Sequence, residues 1–145
     1  MGLIAPKERQ HLSADALFAL IRKGFAKVPD HRSDDSEITL TDALMSAFAM
    51  FSLKCPSLLD YDKQRAEDNL KTIYGIERAP CDSYMREILD PLLPEWLRPS
   101  FKSVFRQLQR GKALEEMVFF KGCYLLALDG TGYFSSKKIH CPSCL

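Results

Sequence analysis

Apolar residues recur at helical spacing through most of this chain, and the period changes near its end. In "SADALFALIRKGFAKV", Leu17, Leu20, Ile21 and Phe25 share one face, and Ser13 is placed to cap the helix. "PDHRSDDSE" interrupts the pattern with Pro, Asp and Ser and predicts a polar loop. "TLTDALMSAFAMFSLK" is the most apolar segment. Thr39 or Thr41 is its expected cap, Leu44, Ala47, Phe48 and Phe51 its stripe, and Pro56 its stop, which predicts a helix at the centre of a small bundle. "SLLDYDKQRAEDNLKTIYG" reads as one helix or two short ones ending at Gly75, a residue suited to a left-handed cap. "CDSYMREILDPLL" follows, with Asp82 or Ser83 as cap. The last helix is "PEWLRPSFKSVFRQLQRG", where Pro94 suits the first turn and Gly111 the end, and Pro99 either kinks the helix or moves its start.

Beyond Gly111 the texture shifts to strands. "MVFF" and "GCYLLALDG" are short runs with Val or aromatic residues, the second expected to be buried on both faces, and "YFSSKK" is a more polar third. The pattern therefore predicts a helical region over residues 1–112 and the opening strands of something else over 113–145. No internal repeat or low-complexity stretch is visible.

Composition removes several classes of function without choosing one. A chain of 145 residues with 46% hydrophobic composition supports one core, and a formal charge of +1 gives no global field toward nucleic acid or membrane. The longest apolar runs fall well short of the roughly 18 residues of a membrane span, and "MGLIAPKERQ" lacks the apolar core of a secretory signal, so a cytoplasmic location without membrane contact is expected. The 5 cysteines are irregularly spaced, which argues against a disulfide framework. Cys55, Cys81 and Cys123 are expected to be small buried or half-buried hydrophobes.

Three local patterns carry chemistry. "NLKTIYGIERAPCDSYMREIL" has the outline of a helix-turn-helix that would present Ser83, Tyr84 and Arg86 to a major groove. The connection is longer than the usual ~3–4-residue turn, so an ordinary bundle corner is the competing reading. Arg98, Lys102, Arg106 and Arg110 recur every fourth position, with Lys112 beyond them and no acid between Glu95 and Glu115. Residues four apart share a helix face, so these cations form a ridge able to follow phosphates, beside an apolar stripe of Phe101, Val104, Phe105 and Leu108. The bland alternative is a solvated face next to a core face. The third pattern is "LLALDGTGYFSSKKIHCPSCL", in which an apolar strand delivers Asp129 into a Gly-rich turn. A carboxylate at a strand end needs a metal, a partner or solvent, and Asp-Gly is also a common turn pair. His140, Cys141 and Cys144 make half of a zinc site.

The same closing segment, with the upstream "LTDALMSAFAMFSLKCPSLLDYD" and "NLKTIYGIERAPCDSYMREILDPL", resembles bacterial insertion-sequence transposases of the DDE type. The resemblance runs from about "DHRS" to the end, and "LALDGTGYFSSKKIHC" is its most specific part. It implies a mainly α chain: a helical DNA-binding bundle followed by the start of a ribonuclease-H-like α/β catalytic domain. In that family an Asp on the first strand, a second Asp and a Glu hold two divalent ions, Mg²⁺ or Mn²⁺, for phosphodiester transfer. Asp129 matches the first of these carboxylates. The second Asp and the Glu would lie beyond Leu145, as would partners for a His140, Cys141 and Cys144 zinc site. The resemblance thus implies an amino-terminal transposase fragment that binds transposon-end DNA and is catalytically incomplete alone, with assembly as a homo-oligomer left open. Two other readings stand beside it: a gene remnant that folds and binds nothing, and a small zinc-binding interaction module closed by two Cys-x-x-Cys pairs.

Overall fold

The computed structural model describes residues 10–33 and 36–125. It contains six α-helices and one two-stranded sheet among those residues: α1 (Ala14–Phe25), α2 (Leu40–Ser52), α3 (Leu58–Gln64), α4 (Asp68–Tyr74), α5 (Asp82–Leu89), α6 (Pro94–Arg110), β1 (Val118–Phe120) and β2 (Cys123–Tyr124). The chain is mainly helical, as the periodicity predicts. It divides into two compact units, Met1–Leu114 and Glu115–Leu145.

In the helical unit the caps form where short polar side chains precede apolar periods. The Ser13, Thr39 and Ser57 hydroxyls accept from the backbone N–H of Ala16, Asp42 and Asp60 at the starts of α1, α2 and α3. Each such cap contributes about 1 kcal/mol by occupying a donor the helix cannot satisfy itself. The cap of α5 departs from expectation: it is Cys81, without a side-chain bond, and Asp82 and Ser83 are already helical. Pro94 occupies the first turn of α6, and the helix runs unbroken past Pro99, which removes one backbone donor without moving the start.

Helix ends also differ from the simplest reading. Gly75 does take the left-handed conformation after α4, at φ 66°. After α2, however, it is Lys54 that turns left-handed, at φ 56°, ahead of Pro56, and the Cys55 N–H bonds back to the Met50 carbonyl. After α6 it is Lys112, at φ 58°, with Ala113 N–H bonded to the Leu108 carbonyl. Gly111 keeps a negative φ. Its lack of a side chain serves packing, because a Cβ there would stand 2.6 Å from Leu12 Cδ1.

The core centres on α2. Ala43, Leu44, Met45 and Ala49 are buried there with Ile21 and Phe25 of α1, Tyr61 of α3, Leu70 and Tyr74 of α4, Ile76, and Met85 and Ile88 of α5. Full burial of a side chain such as Met45, Met85 or Ile88 contributes about 1.5–3 kcal/mol. Phe18, Phe48 and Tyr74 add an aromatic cluster, the first stacked on Tyr74 at a 5.0 Å centroid distance. The expected stripe of α2 is corrected at Phe51, which is 75% exposed. The helix instead buries a face running through Leu40, Ala43, Leu44 and Met45, because α1, α4 and α5 surround it on the other side.

The second unit begins with a hairpin in which β1 and β2 pair antiparallel with a bulge between Val118 and Phe120. The described part of the second strand, Cys123–Tyr124, is exposed, as is Leu125. Burial on both faces and a half-buried Cys123 are therefore not what these residues adopt. Among the described residues no third strand or helix covers either face of this sheet, and its apolar side chains are exposed.

Candidate nucleic-acid interface

A single carboxylate organises the part of the bundle where the helix-turn-helix outline falls. Asp42 is 4% exposed in the first turn of α2. Its Oδ1 accepts from Arg22 NH2 of α1 at 2.9 Å, and its Oδ2 accepts from the backbone N–H of Glu77 and of Arg78, each at 3.3 Å. Residues 75–81 are thus fastened to α2, with Ile76 and Pro80 buried. The α4 to α5 connection is a long anchored segment, and both helices pack on α2. A DNA-reading helix pair joined by a tight turn is not the geometry formed here.

The three residues singled out on α5 have unequal freedom. Ser83 and Arg86 are exposed, but the Ser83 hydroxyl lies 3.6 Å from Cys81 Sγ. That hydroxyl, with the Tyr84 N–H, holds the Cys81 thiol below its ordinary pKa. Tyr84 is half-buried against the core, and its hydroxyl accepts from Arg32 NH1 at 3.4 Å. Arg32 was not visible as a structural residue in the sequence. It forks onto Asp30 through Nε and NH2 at 3.0 and 2.8 Å and donates to the Ile38 carbonyl, pinning the polar loop between α1 and α2 to α5. This bidentate pair holds the Asp30 carboxyl below its usual range.

The cation row of α6 is presented differently. Arg98, Lys102, Arg106 and Arg110 are all exposed along one helix, spanning about 18 Å at 1.5 Å per residue. Arg98 sits 3.8 Å from Glu95, an exposed pair of little energetic consequence. Lys102, Arg106 and Arg110 form no ion pair among the described residues. The opposite side of α6 is fixed by a close crossing with α1. Ser100 is 2% exposed, and a Cβ on Gly24 would stand 2.3 Å from its Oγ. Phe25 and Phe101 meet edge to face at 6.1 Å, and Gln107 donates to the His11 carbonyl. With one side held this tightly, the cations face solvent as a set.

The apolar stripe expected beside them is split. Val104 and Leu108 are half-buried, whereas Phe101 and Phe105 are each 48% exposed. Asp129, His140, Cys141 and Cys144 lie outside the described residues. Among the described residues no three His, Cys, Asp or Glu side chains converge as a metal site would require. No described helix is long and apolar enough to cross a membrane. No protein-family model matches the chain, and neither a curated protein nor a solved structure was found similar to it.

Proposed function

We propose that this chain is the DNA-handling amino-terminal region of a DDE-type transposase and that α6 is its phosphate-contacting surface. The observation that carries the reading is the exposed row of Arg98, Lys102, Arg106 and Arg110, three of them without an ion-pair partner among the described residues. Charge on the chain is balanced overall but not locally: 96–114 contains none of the 19 acidic residues and five of the 20 Lys and Arg. Among the described residues, phosphates would gain these contacts without breaking ion pairs that hold the fold. The change from helices to a hairpin after Leu114 supports the start of a ribonuclease-H-like domain as the second part of the reading. Asp129, with Mg²⁺ or Mn²⁺, enters it through the resemblance, and His140, Cys141 and Cys144, with zinc, through their spacing as half of a site.

The test is the salt dependence of duplex DNA binding. Four phosphate contacts contribute about −0.9 each to the slope of log K against log salt, so replacing the four cations with Gln should flatten that slope by about 3 to 4. A slope equal to that of the parent chain removes α6 from the interface. A second reading, a folded remnant that binds nothing, draws on the hairpin, where Met117, Phe119, Phe120 and Leu125 are strongly exposed. Exposed apolar side chains on a strand pair promote non-specific association, so aggregation of the parent chain with no DNA binding at low salt would favour it.

A further inference from the structure

Phe101 and Phe105 are the exposed aromatic side chains that flank the cation row of α6. Each leaves nearly half of its surface in solvent, although both sit on a helix whose opposite side is tightly packed. On a helix of 3.6 residues per turn, Phe101 is the i+3 neighbour of Arg98, and Phe105 the i+3 neighbour of Lys102. The aromatic pair therefore forms a column between the buried face of α6 and its cation row. Phe101 is steadied by its edge-to-face contact with Phe25 of α1. A ring held in this way presents its free surface at little entropic cost.

Cations alone are satisfied by any polyanion, and exposed phenyl rings alone by any apolar partner. The two columns together select a partner that carries a phosphate and an uncovered flat apolar surface at each repeat. In intact duplex DNA the base faces are stacked on one another and only their edges are reachable. In an unpaired strand they are free. We propose that α6 binds unpaired DNA in preference to duplex, its cation row following the backbone while Phe101 and Phe105 stack on successive bases. This rests on the reading of α6 as a phosphate-contacting surface and adds to it the state of the DNA.

The test uses the full chain and fluorescence anisotropy with three labelled probes of about 20 nucleotides, long enough to cover one binding site: a single strand, its duplex, and a strand of the same length with abasic positions. The parent chain should bind the single strand at least about tenfold more tightly than the duplex, and the abasic strand should lose that advantage. Phe105→Leu keeps an apolar side chain and should weaken single-strand binding by about fivefold or more, with Phe101→Leu, Phe105→Leu weaker still. Duplex affinity should stay within about twofold in both. Phe105→Leu leaves the Phe25 contact intact, so its result stands even where the double variant folds poorly. Lys102→Gln, Arg106→Gln should weaken all three probes.

Several results would overturn the inference. Loss of binding in the cation variant with no effect of either Phe variant leaves the phosphate surface standing and removes the stacking. No binding of any probe by the parent chain at low salt removes both. A concentration-dependent dimer that Phe105→Leu dissociates shows that a second copy covers this face, and the stacking role fails.

Discussion

The helices α2 and α6 use charge in opposite ways. Over Leu40–Ser52, α2 carries one charged residue, Asp42, and buries it against Arg22 and two backbone N–H groups. Over Pro94–Arg110, α6 carries four cations and one acid, all exposed, and is held to the bundle through the uncharged Ser100 and its aromatic neighbour. The lone charge of α2 is committed to the fold, while α6 leaves a row of charges available. The difference teaches that charge density along a sequence does not locate structural electrostatics. The isolated Asp is the one that joins α1, α2 and the segment 75–81.

The largest effect that could break this contrast is at Asp42. Asp42→Ala leaves Arg22 and the Glu77 and Arg78 N–H groups without their acceptor, a loss expected to cost about 3–5 kcal/mol in urea unfolding. A cost under about 1 kcal/mol would show that solvent replaces the carboxylate and that α2 does not depend on it. Next in size is the α1 to α6 crossing. Gly24→Ala forces its new methyl into Ser100 and should cost about 1–3 kcal/mol, and adding Ser100→Gly should restore part of it. Additive losses in the double variant would place the strain elsewhere. Lys112→Gly relieves a left-handed lysine after α6 and should stabilise by about 0.5–1 kcal/mol; an unchanged thermal midpoint would mean that this turn relaxes at no cost. Replacing all four α6 cations with Gln should change stability by no more than about 0.5 kcal/mol, and a loss on the scale of Asp42→Ala would collapse the contrast.

The smallest effect is a pH dependence at Asp30. Its carboxyl, hydrogen-bonded to Arg32, titrates below its ordinary 3.8 in the folded chain. The contribution is present above that ordinary value and is lost as pH falls through the lowered folded one. Asp30→Asn should therefore reduce the loss of stability in that acid window, and matching acid-unfolding curves for the two chains would discount the pair.

Local signals were legible where one or two neighbouring residues decide the outcome. Ser13 and Thr39 cap because each precedes an apolar helical period, and Gly75 ends α4 because the turn needs a positive φ. Phe51 was misread because the face a central helix buries depends on which partners surround it, and periodicity carries no record of them. Gly111 was assigned to the turn when Leu12, far away in the chain, is what requires it. The α6 row was readable as a pattern, and its exposure was not, because exposure depends on Gly24 and Ser100 fixing the other side. Arg22 and Asp42 gave no signal at all, since their partners lie on other elements, and Arg32 gave none for its reach to Tyr84 on α5. The Tyr61 hydroxyl was equally silent. Burial pushes its pKa up, and no side chain reaches it in hydrogen-bonding geometry.

The Asp42 clamp also fixes a kinetic property of the chain. Glu77 and Arg78 are surface residues in a segment without regular structure, where amide protons ordinarily exchange with solvent quickly. Their N–H groups instead end on a carboxylate inside the bundle. Exchange of those two protons requires the segment to lift off Asp42, so a pair of loop amides would time the local opening of residues 75–81.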